Sequence, residues 1–121
     1  MEIKQVYFQI LAYQNMLGYV YKDMTTEEKL QQFKNYYIAL SMEQAELLQE
    51  LPWKPWRDSE GQYHGKKADI IREWIDCLFF LFDQAFCLDI TPEDIEDGFR
   101  KVLANNLIRI DKGYSSVKGK L

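Results

Sequence analysis

Apolar residues recur along this chain at three- and four-residue intervals in four stretches, and no stretch alternates strictly as a half-buried strand would. The spacing predicts a first helix from Ile3 to about Tyr19, aromatic-rich and closing near Gly18. A second is predicted from Thr25 or Thr26 to Leu51, where Pro52 stops it. Its start carries a capping box, Thr25 with Glu28 three residues on. The apolar stripe of that helix reads as Leu30, Phe33, Tyr37, Leu40, Leu47, Leu48 and Leu51. Residues 52–65 hold two prolines and two glycines and predict a loop. A third helix is predicted from about Lys66 to Cys87. A fourth runs from Thr91-Pro92-Glu93-Asp94 to about Asp111, with Gly113 as its stop. The expected fold is an all-α bundle of four to five helices, one domain over 1–121 with 114–121 as a loose tail.

Polar residues that interrupt these stripes carry the chemistry. Between Trp74 and Phe82 the only charge is Asp76, on a helix apolar nearly all round and so expected to be largely buried. A lone buried carboxylate costs several kcal/mol unless it is paired, protonated or on a metal. Glu73 lies one turn earlier on the same face. The second helix carries Glu43 and Glu46 at the same spacing, near the border of its apolar stripe, with Glu50 one turn on. Each pair alone reads equally as a solvated face. Two pairs on facing helices are the hard oxygen donors that Mg²⁺ requires. On the fourth helix Asn106 falls within the apolar stripe, where its amide would need a partner, structural or ligand. Lys101 and Arg109 could supply charge to phosphates, or stay solvated.

Composition narrows the classes. A net charge of −4 argues against a passive nucleic-acid binder, and an acidic protein that binds polyphosphate needs cations between the like charges. Cys77 and Cys87 would lie about 15 Å apart on one helix, too far to pair. They read as buried free thiols in a reducing compartment, and a cytoplasmic location is expected, with no membrane partner. The longest apolar run is too short to span a bilayer, and no secretory signal is read at the start. His64, the only histidine, reads as a surface residue. Trp53 and Trp56 flank Lys54 and Pro55 and read as caps on the core or as aromatics that stack on a base, and Trp74 reads as core or interface. No Walker-type glycine loop or nucleophile–histidine arrangement is evident.

The pattern Glu43-x-x-Glu46, 26 residues, Glu73-x-x-Asp76 resembles the signature of the all-α nucleotide pyrophosphohydrolases, the MazG-like enzymes and the dimeric deoxyuridine triphosphatases. The stretches ELLQELPWKPWR and FRKVLANNLIRIDKGY resemble short phage and bacterial members of the latter. The resemblance implies that Glu43, Glu46, Glu73 and Asp76 hold Mg²⁺, with Glu46 chosen as the catalytic carboxylate. It implies contacts to a nucleoside triphosphate from Lys101, Asn106, Arg109 and Tyr114, and from Gln14, Lys54 and Trp56. The implied reaction is dUTP to dUMP plus pyrophosphate, by a homodimer. dCTP, a broad house-cleaning range, a non-catalytic metal- or nucleotide-binding module and a purely structural helical protein are the alternatives.

Overall fold

The computed structural model describes residues 1–54 and 66–113. It is all-α, with no strand among the described residues. Helix α1 spans Ile3–Met16, α2 Thr26–Gln49, α3 Lys67–Cys87 and α4 Pro92–Asp111, and a 3₁₀ turn, Tyr21–Asp23, links α1 to α2. The described chain divides into two compact units, Met1–Asp89 and Ile90–Leu121.

Local chemistry sets the helix ends. The Thr25 hydroxyl accepts from the Glu28 amide at 3.1 Å, and the Glu28 carboxylate accepts from the Thr25 amide at 2.9 Å. Thr91 and Asp94 repeat the box at the start of α4. Helix α1 stops earlier than its apolar pattern suggests. Gly18 adopts φ +100°, the left-handed conformation that side chains resist, and the amides of Gly18 and Tyr19 close back onto the carbonyls of Asn15 and Gln14, both at 3.0 Å. The short 3₁₀ turn that follows is too brief to leave a periodic signal.

In the first unit α2 and α1 both run antiparallel to α3. Tyr36 of α2 meets Phe80, while seven residues later Glu43 reaches Glu73 and Asp76. On α1 the order also reverses: Tyr7 packs edge-on against Phe86 with centroids at 4.9 Å, and Tyr13 against Phe79 at 6.2 Å. Lys29 and the exposed Asp89 form an ion pair at 2.7 Å that ties the start of α2 to the chain just beyond α3. Tyr7, Ile10, Tyr36, Leu40, Phe82 and Phe86 are the largest part of the core.

Three expectations change. The inward stripe of α2 contains Tyr36 and not Tyr37, which is 61% exposed, as Leu30 is at 52%. The stripe therefore runs Phe33, Tyr36, Leu40, Glu43, Leu47, so Glu43 lies on it instead of beside it. Helix α3 is buried mainly in its second half, and Ile71, Trp74 and Leu81 are each half exposed, because the two helices packed on it cannot cover a helix that is apolar all round. Asn106 is exposed, as are Phe99, Val102, Leu103, Leu107 and Ile110 around it, so its amide faces no burial cost in this chain. Trp53 is 38% exposed.

Candidate functional site

Polar side chains interrupt the inward stripe of each helix in the first unit. On α1 the buried positions are Tyr7, Ile10 and Gln14. On α2 they lead from Tyr36 and Leu40 to the half-buried Glu43. On α3, Asp76 and Asp83 lie seven residues apart, two turns along one face, about 10 Å in rise. All five polar side chains, Gln14, Tyr36, Glu43, Asp76 and Asp83, line a single cavity of about 1030 Å³. Its remaining wall is largely apolar and aromatic, with Ile10, Tyr13, Tyr19, Phe79 and Phe80. A concave, mostly apolar space with a few convergent polar groups is the usual form of a small-molecule site.

One end is acidic. Carboxylate oxygens of Glu43, Glu73 and Asp76 all lie within 4.8 Å of one another. One oxygen of Glu43 and one of Glu73 are buried and hydrogen-bonded to nothing among the described residues. The Glu43 carboxyl is pushed up to about 7, first by burial, then by the charge of Glu46, by Glu73 through hydrogen bond and charge, and by Asp76. No salt bridge among the described residues reaches these three acids: Arg72, one turn from Asp76, pairs with Asp69 at 3.2 Å. Acids gathered without a basic partner, with orphaned buried oxygens, fit a divalent cation. Glu46 is exposed and stands outside the three-residue cluster, but its charge is the largest that Glu43 feels.

The other end is closed. Asp83 is 1% exposed, the most deeply buried side chain among the described residues. Gln14 donates from Nε2 to Asp83 Oδ2 at 3.0 Å, and Asp83 Oδ1 has no hydrogen-bond partner among the described residues. Burial holds this carboxyl up to about 7, against the lowering effect of the Gln14 bond. Beside it the Tyr21 and Tyr36 hydroxyls bond to each other, and both phenols are raised chiefly by burial. The Cys87 thiol is raised to about 11, by burial first and by Asp83 second. Cys77 and Cys87 are both buried and free.

The reading of single residues from the sequence missed Asp83. Its signal was an acid seven residues past Asp76, at the edge of an apolar run. Lys54 sits with its ammonium 5.3 Å from the centroid of the Trp53 ring. Lys101 and Arg109, like Asn106, are exposed on α4. Trp56, His64 and Tyr114 lie outside the described residues. No helix among the described residues is long and apolar enough to cross a membrane.

The model of a family described as dUTPase matches residues 7–90. That range takes in α1 from Tyr7 on, α2 and α3 with all the cavity acids, and leaves out Lys101, Asn106 and Arg109. No curated protein and no solved structure matches the chain.

Proposed function

From the chain's membership of the all-α dUTPase family, to which it belongs by a match over residues 7–90, we propose that it hydrolyses dUTP to dUMP and pyrophosphate with Mg²⁺. The observation that carries the reading is the meeting of Glu43, Glu73 and Asp76, from two helices, with oxygens within 4.8 Å and no salt bridge to a base among the described residues. These three and Glu46 would hold Mg²⁺, which supplies positive charge to the triphosphate and to oxygens that gain negative charge on the way to products. We assign to the exposed Glu46 the proton of the attacking water, which its carboxylate would take. Glu43 must be ionised to serve as a ligand, and ligation would offset the repulsion that raises it.

The nucleoside would occupy the aromatic part of the cavity, out of water, with Gln14 at its inner end. Lys54, Trp56, Lys101, Asn106, Arg109 and Tyr114 are the further substrate contacts we assign. In this reading residues 1–121 act as one catalytic domain in the cytoplasm, where thiols stay reduced. We also assign a homodimer. The support is apolar surface left open on α3 at Ile71, Trp74 and Leu81, and on α1 at Phe8 and Met16.

The test is hydrolysis of each deoxynucleoside triphosphate with product identification. The reading expects dUMP and pyrophosphate in Mg²⁺ and neither in excess chelator. Preferred turnover of dCTP, or equal turnover of all, would keep the chemistry and replace the substrate. Release of inorganic phosphate alone would contradict the reaction.

A further inference from the structure

Asp83 has no role in holding a cation, for it lies two helical turns from Asp76. It is also poorly built as a structural residue. Its only hydrogen-bond donor among the described residues is Gln14, and its second oxygen is sealed from water with nothing bound to it. Among the described residues, Tyr21 of the 3₁₀ turn, Tyr36 of α2 and Cys87 of α3 feel its charge, and none of these three is a cation. A buried orphan acceptor costs free energy that a structural residue would avoid. This one lines the same cavity as the acids, among flat aromatic walls.

We propose that Asp83 is a specificity-determining residue, whose free Oδ1 accepts a hydrogen bond from a ring N–H of the nucleobase bound in the cavity. The Gln14 amide donates one hydrogen to Oδ2 and has a second to offer. Acceptor and donor thus stand side by side, the complement of an imide edge, an N–H beside a carbonyl. Uracil carries that edge at N3 and O4. The antiparallel pairing of α2 with α3 puts the acids and Asp83 at two stations along one channel, so a triphosphate at the first directs its base to the second. Asp83 then selects the base without touching the reacting phosphates. The inference rests on the nucleotide reading above and narrows it.

The experiment compares dUTP with N3-methyl-dUTP and 3′-deoxy-dUTP, by kcat/KM with Mg²⁺, on the wild type and on Asp83→Asn. In the wild type N3-methylation is expected to lower kcat/KM at least thirtyfold, on the scale of a lost buried hydrogen bond. Asparagine can still accept from Gln14, but turns an N–H₂ toward the ligand. The variant is therefore expected to lose at least tenfold on dUTP through KM, to gain on dCTP, whose N3 is an acceptor, and to penalise N3-methylation far less. The 3′-deoxy substrate should lose equally in both proteins. An N3-methyl penalty of the same size in both, or a change in the 3′-deoxy penalty instead, would overturn the assignment. Binding of dUMP and N3-methyl-dUMP to the wild type, read as thermal shift, needs neither turnover nor a variant. A shift given by dUMP and lost on methylation upholds the Asp83 contact even if no triphosphate is hydrolysed, whereas equal shifts, or none, reject it.

Discussion

The two acidic ends of one cavity treat the same functional group in opposite ways. At one, Glu43, Glu73 and Asp76 crowd together at half-buried positions, and Glu43 is pushed up to about 7 by burial and by its neighbours' charges. At the other, Asp83 is raised to about 7 by burial alone, with a single amide beside it. Repulsion among several carboxylates is relieved by a cation, which answers all of them at once. Desolvation of one carboxylate is relieved by a dipole that fits a narrow space. The two upward shifts thus have different causes, and the number of neighbouring acids tells them apart.

The largest effects should come from the crowded end. Glu46→Gln and Asp76→Asn are expected to remain folded by circular dichroism and to release pyrophosphate 10²–10³-fold more slowly, on the order of one lost electrostatic contact in a transition state. Full activity in both would dissolve the contrast between the ends. Next comes pH. Glu43 must lose its proton to bind Mg²⁺, so affinity should fall by about tenfold per unit as pH drops below 7, and level off above it. Calorimetric titration at pH 6 and 8 measures this, and equal affinities would place Glu43 outside the metal site.

The closed end offers a smaller effect of opposite sign. The folded Asp83 carboxyl, about 7, lies above its ordinary 3.8. The folded state therefore holds the proton more tightly. The stability this gives is fully present below pH 3.8 and is lost as pH rises through 7. Asp83→Asn, which cannot ionise, should then be more stable than the wild type by about 1–2 kcal/mol at pH 8, after the cost of an unpartnered amide. At pH 4 the gain should vanish, and urea unfolding at both pH values decides it. Away from the cavity, Thr25→Ala should cost about 1 kcal/mol through the lost cap. Lys29→Ala, which breaks a pair whose acid is exposed, should cost less than about 1 kcal/mol.

The helices were legible because periodicity and caps are local: the boxes at Thr25 and Thr91 stand where their residues suggest. Facing is not local. Tyr36 and Tyr37 are chemically equal neighbours, and only packing against Phe80 settles which turns inward. Choosing Tyr37 rotates the stripe by one residue and moves Glu43 to its border. The meeting of Glu43 with Glu73 and Asp76 was legible despite this, since its signal is the repeat of one spacing on two helices, whereas Glu46, the fourth acid of that repeat, stands outside the cluster. Asp83 was not, because its meaning comes from Gln14, 69 residues away in the chain. A partner that distant leaves no trace in spacing.

Carboxylates of α2 and α3 are proposed to hold a divalent cation together. Titration of Mg²⁺ into the wild type and into Glu73→Gln at pH 8, followed by calorimetry, tests it most directly. The account expects saturable binding in the wild type, weakened at least tenfold by removal of that one charge. Indistinguishable isotherms for the two proteins, or no binding to either with or without nucleotide, would contradict it.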